Sequence, residues 1–169
     1  MKVKIITDST NDLSKDLLEK LDIEVVPLMV NFEDVTFYDG IDINTEQLYK
    51  KVEEFNQLPK TAAVPIPTFI DIFEKYVKEG YEVVYTGISR QMSRTFENAY
   101  MAAMEVDEEK VHVVDSMNLS TGIGLLVLKI CKWRDAGLTV EEIMQKAEEV
   151  KPKIRAQFCI EGLDYLHKG

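Results

Sequence analysis

The chain has 169 residues, 46% of them hydrophobic, enough for one domain to bury a continuous core. It contains no run of about 18 uninterrupted apolar residues, and Met1-Lys2-Val3-Lys4 leads directly into a strand-like segment, so a soluble cytoplasmic protein without an integral membrane segment is expected. The formal charge is −10, with Lys and Arg scattered among Asp and Glu, so a nucleic-acid backbone would meet mostly repulsion and no nucleic-acid partner is expected.

Residues 3–7 are predicted as the first strand, followed by Asp12 or Ser14 as the cap of a short helix with Leu17, Leu18 and Leu21 on its apolar face. Residues 24–30 read as a second strand, and residues 31–42 hold a short hairpin around Tyr38-Asp39-Gly40. Asn44 and Gln47 have capping-box spacing, and Leu48, Val52 and Phe55 then recur at helical intervals up to about Asn56. Residues 58–67 contain three prolines, each fixing φ and restricting its predecessor, which predicts a stiff extended loop.

The clearest amphipathic helix follows: Phe69, Ile72, Phe73, Tyr76 and Val77 form one face, and Gly80 supplies the stop. A strand over residues 82–88 feeds a helix from Arg94 to about Met104, where Ala99, Ala102 and Ala103 permit close packing. Residues 111–114 form the next strand. The helix over residues 121–134 is apolar nearly all round and is predicted to be buried, with Gly137 at its end. Thr139 and Glu142 open a capped helix with Ile143, Met144, Ala147 and Val150 inward, ending near Pro152. Residues 157–160 read as a short strand and residues 163–167 as a helical turn. Alternating strands and helices predict an α/β fold, a layered, mostly parallel sheet with flanking helices.

Three apolar runs end in hydroxyl and carboxylate clusters: Thr7-Asp8-Ser9-Thr10, Ser89-Arg90-Gln91-Met92-Ser93-Arg94-Thr95 and Asp115-Ser116. Parallel strands bring their carboxyl ends to one edge, and open α/β sheets bind ligands in the crevice outside it, so these loops are expected to form one composite site. The second loop has more hydroxyls than one helix start can use. A helix beginning near Ser93 directs amide groups and the positive end of its dipole outward, which suits a carboxylate or phosphate; Arg90 and Arg94 reinforce this if they turn inward and are solvated otherwise. In the loops after the first and third of these strands, turn and cap roles account for most of the polar residues.

Gly122 and Gly124 form a lone GxG, which serves tight packing better than dinucleotide binding, and there is no Walker sequence. With His112 inside a strand and His167 at the far carboxyl end, a Ser-His-Asp triad is not expected. Cys131 and Cys159 lie in apolar surroundings and are expected as reduced core residues. Asp8, Asp12 and Asp115 leave open a Mg²⁺-dependent phosphohydrolase or phosphotransferase acting through Asp8 and Asp115. The loop from Pro59 to Pro67 offers one hydroxyl, Thr61, to an anionic head group and Ala62, Ala63, Val64 and Ile66 as apolar wall.

Taken in order, Thr7-Asp8-Ser9-Thr10-Asn11-Asp12-Leu13, Val25-Val26-Pro27-Leu28, Tyr38-Asp39-Gly40-Ile41-Asp42-Ile43, Pro59-Lys60-Thr61, Ile88-Ser89 with Ser93, Val114-Asp115-Ser116 and Leu163-Asp164-Tyr165-Leu166-His167-Lys168-Gly169 resemble the DegV family of bacterial fatty-acid-binding proteins. The resemblance covers the whole chain. It implies a long-chain fatty acid held between two domains, its carboxylate bonded by Thr61 and Ser93, with Ser9, Ser89 and Ser116 in support. It also implies a carrier that presents the acid to a separate fatty acid kinase rather than a catalyst, with no cofactor, no metal and no catalytic residue of its own.

Three departures stand out. Ala62 replaces a serine of the family's proline loop, Arg90 and Arg94 stand where members commonly carry Ser and Gly, and family chains continue for roughly another domain's worth of residues. Residues 1–169 are therefore expected to be a DegV-like lipid-binding domain lacking the second, carboxyl-terminal one, with a pocket open on one side and a face that favours self-association. An interaction domain without a ligand is the remaining alternative.

Overall fold

The computed structural model describes residues 2–33 and 35–160. Its central sheet is parallel because its strands are separated by helical crossovers. β1 (Lys2–Asp8), β2 (Ile23–Val26), β6 (Tyr81–Gly87) and β7 (Val111–Asp115) lie in the order β2-β1-β6-β7, every pair parallel. The expected α/β class and parallel sheet are thus present.

Between β2 and β6 the chain builds a second, smaller sheet. β3 (Met29–Phe32) pairs antiparallel with both β4 (Val35–Tyr38) and β5 (Lys60–Ala62), and α2 (Thr45–Phe55) covers it. Leu48, Val52 and Phe55 from α2 pack on Val30, Phe32 and Ile43, and the Phe55 ring stacks on Phe32 at 5.2 Å. The capping box is formed as expected: Asn44 accepts from the Gln47 amide and Gln47 from the Asn44 amide, each at 2.9 Å.

Two cores sandwich the parallel sheet. Ile6, Val26, Val83, Tyr85 and Val111 face α3 (Ile66–Lys78) and α4 (Thr95–Val106), which contribute Phe69, Phe73 and Ala99 among others. Ile5, Ile23, Val84 and Val114 face the other way, toward α5 (Thr121–Asp135) and α6 (Val140–Val150), with α1 (Lys15–Lys20) at the margin. This is the alternation of period two that strands impose, used on both faces.

Several expectations are corrected. The strand read over residues 24–30 is two strands in different sheets, parted at Pro27-Leu28, because proline cannot donate to a continuing ladder. The hairpin turns beyond Phe32 rather than at Tyr38-Asp39-Gly40; Tyr38 is instead the last residue of β4, paired with Met29, and the Asp39 amide after it bonds back to the Leu28 carbonyl. The proline loop is not wholly irregular: Lys60–Ala62 is β5, and α3 begins at Ile66 with Pro67 in its first turn, where a missing N–H costs nothing. Leu125 on α5 is 52% exposed, so that helix is not buried all round. Residues 157–160 form no strand, and Cys159 is exposed whereas Cys131 is buried. The turn and motif read over residues 163–169 lie outside the described residues.

Candidate functional site

Strand order reverses between β1 and β6: β1 leads to a neighbour on one side and β6 to a neighbour on the other, which makes their carboxyl ends the topological switch point. Asp8, the last residue of β1, fills that point. Its Oδ2 accepts from the Ile88 amide at 2.8 Å and the Tyr85 hydroxyl at 3.1 Å, and its Oδ1 from the amide and hydroxyl of Thr10. Asp8 is fully buried, and that burial raises its pKa above the ordinary 3.8 despite the four hydrogen bonds that pull it down. Gly87 makes the arrangement possible, because a Cβ there would strike Asp8 Oδ2 and the Tyr85 hydroxyl.

From Ile88 the chain winds tightly into α4. The amides of Met92 and Ser93 bond to the Ser89 carbonyl at 2.9 and 3.1 Å, and the Ser89 hydroxyl accepts from the Gln91 amide at 3.3 Å. Ser93 is half-buried. Its Oγ accepts from the Thr95 amide at 3.2 Å and lies 2.9 Å from Thr95 Oγ1. Thr95 is fully buried and accepts in turn from the Val64 amide at 3.4 Å, while Asn98 Nδ2 donates to the Val64 carbonyl at 2.7 Å.

This latch joins the two sheets. Val64 follows two residues after β5, the strand that bears Thr61, and Ser93 precedes α4 of the main sheet. Thr61 is exposed in β5, opposite Val30, and its hydroxyl has no hydrogen-bond partner among the described residues. Ala62 and Ala63 are half-buried beside it. Val64 is wholly buried in the core, and Ile66 packs against that core from the first turn of α3. The wall expected along residues 62–66 is therefore two small half-buried steps in front of a buried Val64.

The other predicted hydroxyls are engaged in the loops themselves. Ser9 Oγ accepts from the Leu28 amide at 3.1 Å, and Ser116 Oγ both donates to the Asn118 carbonyl and accepts from its amide. Asp115 Oδ1 accepts from the amides of Arg90 and Met117 at 3.2 and 3.0 Å. Of the three aspartates that leave a Mg²⁺ reading open, Asp8 and Asp115 thus hold loop backbone in place and Asp12 accepts from the Ser120 hydroxyl, and no group of three metal-ligating side chains occurs among the described residues. Gly124 packs against the loop after β1, since a Cβ there would lie 2.6 Å from the Asn11 carbonyl.

Among the described residues, three cavities open around this rim. One of about 310 Å³ is bordered by Ser9, Asp12, Pro27 and Ile41, and one of about 460 Å³ by Ser89, Met92, Met117, Asn118 and Arg155. The third, of about 510 Å³, lies at the start of α4 between Arg90, Arg94, Glu97 and Asn98. Sequence reasoning missed Gly87, Tyr85 and Asn98 as site residues, and it counted Thr95 among the hydroxyls of the second loop without its link to Val64. Gly87 carried a usable signal, a glycine closing an apolar strand before a polar loop; the other three acquire their roles only through contacts distant in sequence.

Residues 2–169 match the family described as uncharacterised protein, DegV family. A DegV domain-containing protein of Clostridium acetobutylicum is 43% identical over 168 residues, and one of Clostridium perfringens is 37% identical. In both alignments 99% of this chain is covered and 60% of the relative, so the chain spans about three-fifths of the length of the curated relatives it matches. Among solved structures, a fatty-acid-binding DegV family protein from Thermus thermophilus superposes with a TM-score of 0.89 at 29% identity, covering 100% of this chain and 60% of that one. A stearic acid-binding protein from Eubacterium ventriosum gives 0.80 at 32% identity, over 88% of this chain and 52% of that one. No helix of the described residues is long and apolar enough to cross a membrane.

Proposed function

The chain belongs to the DegV family, and we propose on that footing that it binds a long-chain fatty acid through Ser93 and Thr61. The fatty-acid binding named for the Thermus and Eubacterium proteins, on the same fold, supports the ligand class. The observation that carries the reading is the hydroxyl relay into Ser93. Thr95 Oγ1 accepts from the Val64 amide and can give its proton to Ser93, whose Oγ already accepts from the Thr95 amide. With both acceptor positions of Ser93 filled, its own O–H is left to point outward as a donor.

A fatty-acid carboxylate placed there accepts that donor and the free hydroxyl of Thr61 across the seam between the two sheets. Charge-assisted hydrogen bonds of this kind are short and strong, and they orient the head group while Ala62 and Ala63 admit the first methylenes. The binding step needs neither a metal nor a nucleophile, and the role that follows is that of a carrier, handing a bound acid to a separate kinase. Ser9, Ser89 and Ser116 keep the loops in shape around the head group.

Denaturing extraction of the purified protein followed by lipid mass spectrometry tests this directly, and a saturated or monounsaturated long-chain acid is the expected species. Thr61→Val and Ser93→Ala are each expected to weaken fatty-acid binding by about 1.5–3 kcal/mol, the usual value of a hydrogen bond to a charged group. Calorimetric titration that shows unchanged affinity in both variants rules out this site.

A further inference from the structure

The small sheet is bonded separately from the parallel one. Among the described residues none of β3, β4 and β5 pairs with β1, β2, β6 or β7, and the core that Val30, Phe32 and Ile43 form with α2 shares no residue with the two cores flanking the parallel sheet. The chain enters the small sheet past Leu28 and leaves it at Val64, and both residues are buried in the core under α3 and α4. Leu28 donates its amide to Ser9 Oγ at 3.1 Å, and Val64 is gripped at its amide by Thr95 and at its carbonyl by Asn98. Each anchor has a proline on its main-body side, as Pro27-Leu28 and Val64-Pro65, which stiffens that side of the crossing. Torsional freedom is left on the other side, between Leu28 and Met29 and at Ala63, which links β5 to its anchor. Two fixed crossings define an axis.

A cleft lies beside that axis. The cavity of about 310 Å³ separates Leu13, Leu18, Val25 and Pro27 of the main body from the turn Asp39-Gly40-Ile41 that follows β4. Ile41 is 70% exposed on its border and belongs to none of the three cores. Entering the apolar recess would remove that side chain from water, which favours a closed position over the open one.

We propose that the small sheet and α2 form a lid hinged at Leu28 and Val64, which closes by seating Ile41 against Leu13, Leu18 and Pro27. Thr61 rides on the lid and Ser93 on the main body, so the lid position sets the gap that a bound carboxylate spans. This coupling rests on the fatty-acid reading above, whereas the hinge does not.

Spin labels on Thr45→Cys, at the start of α2, and Glu19→Cys, in α1, report the lid distance by pulsed EPR on the complete chain, with Cys159→Ser and the buried Cys131 retained. Two distance populations are expected without lipid, and Ile41→Asp and Ile41→Ala are each expected to reduce the shorter one at least about fivefold. Saturating palmitate is expected to change their ratio at least about threefold. A single population, or a shorter one that ignores both substitutions, overturns the lid. Palmitate that binds and leaves the ratio unchanged overturns the coupling. If palmitate fails to bind while both substitutions still deplete the shorter population, the fatty-acid reading falls and the lid stands.

Discussion

Asp8 is the residue on which the rim of the parallel sheet turns, and its ionisation has a measurable consequence. Burial makes the folded chain hold this proton to higher pH than the unfolded chain, whose carboxyl titrates near 3.8. Folding therefore takes up a proton in the window between 3.8 and the raised value, and the stability contributed by Asp8 falls as pH rises through that window. Thermal melts of wild type and Asp8→Asn across it are expected to show wild type losing stability relative to the variant with rising pH; parallel curves would remove the effect. Gly87→Ala drives a methyl group into Asp8 and Tyr85, and a loss of about 1–3 kcal/mol is expected in denaturant titration. Thr95→Val keeps the shape but takes the acceptor from the buried Val64 amide and the donor from Ser93, so both stability and fatty-acid affinity should drop, the former by about 1–3 kcal/mol.

At the scale of elements, the small sheet under α2 carries Thr61, so its stability governs the proposed carboxylate position. Phe32 is fully buried between Phe37 and Phe55, and Phe32→Ala is expected to cost that sheet about 3–5 kcal/mol. Hydrogen exchange should then rise in β3, β4 and β5 while β1 and β6 stay protected, with fatty-acid affinity lost in parallel. This sheet was also the part least legible in the sequence. Strands β1, β6 and β7 and helices α2, α3 and α6 announce themselves through apolar periodicity and capping residues, which are local signals. The reassignment of Met29–Phe32 to another sheet depends on partners at residues 35–38 and 60–62, and the strand Lys60–Ala62 is too short to alternate visibly. The proposed site divides the same way: Thr61 and Ser93 are proposed from motif and loop composition, but the link of Thr95 and Asn98 to them is visible only because Val64 is folded against both.

On the scale of the whole molecule, two cores share one sheet, and the loops after β1, β6 and β7 meet at the rim above it. Trp133, the single tryptophan, packs against the α5 and α6 core, so its fluorescence reports that core rather than the satellite sheet. Loss of the satellite sheet in Phe32→Ala should consequently be silent in tryptophan emission. The carboxylate at the switch point has one more implication. Doubly wound sheets leave this position for a ligand's anionic group, and here the chain supplies that group itself, within a ready cradle made of the Thr10 and Ile88 amides and the Tyr85 hydroxyl. Asp8 is in effect a tethered guest, and removing it should leave behind a host: formate or acetate is expected to raise the melting temperature of Asp8→Ala well beyond any effect on wild type, a chemical rescue that would turn a structural residue into an assay for the receptor the fold still contains.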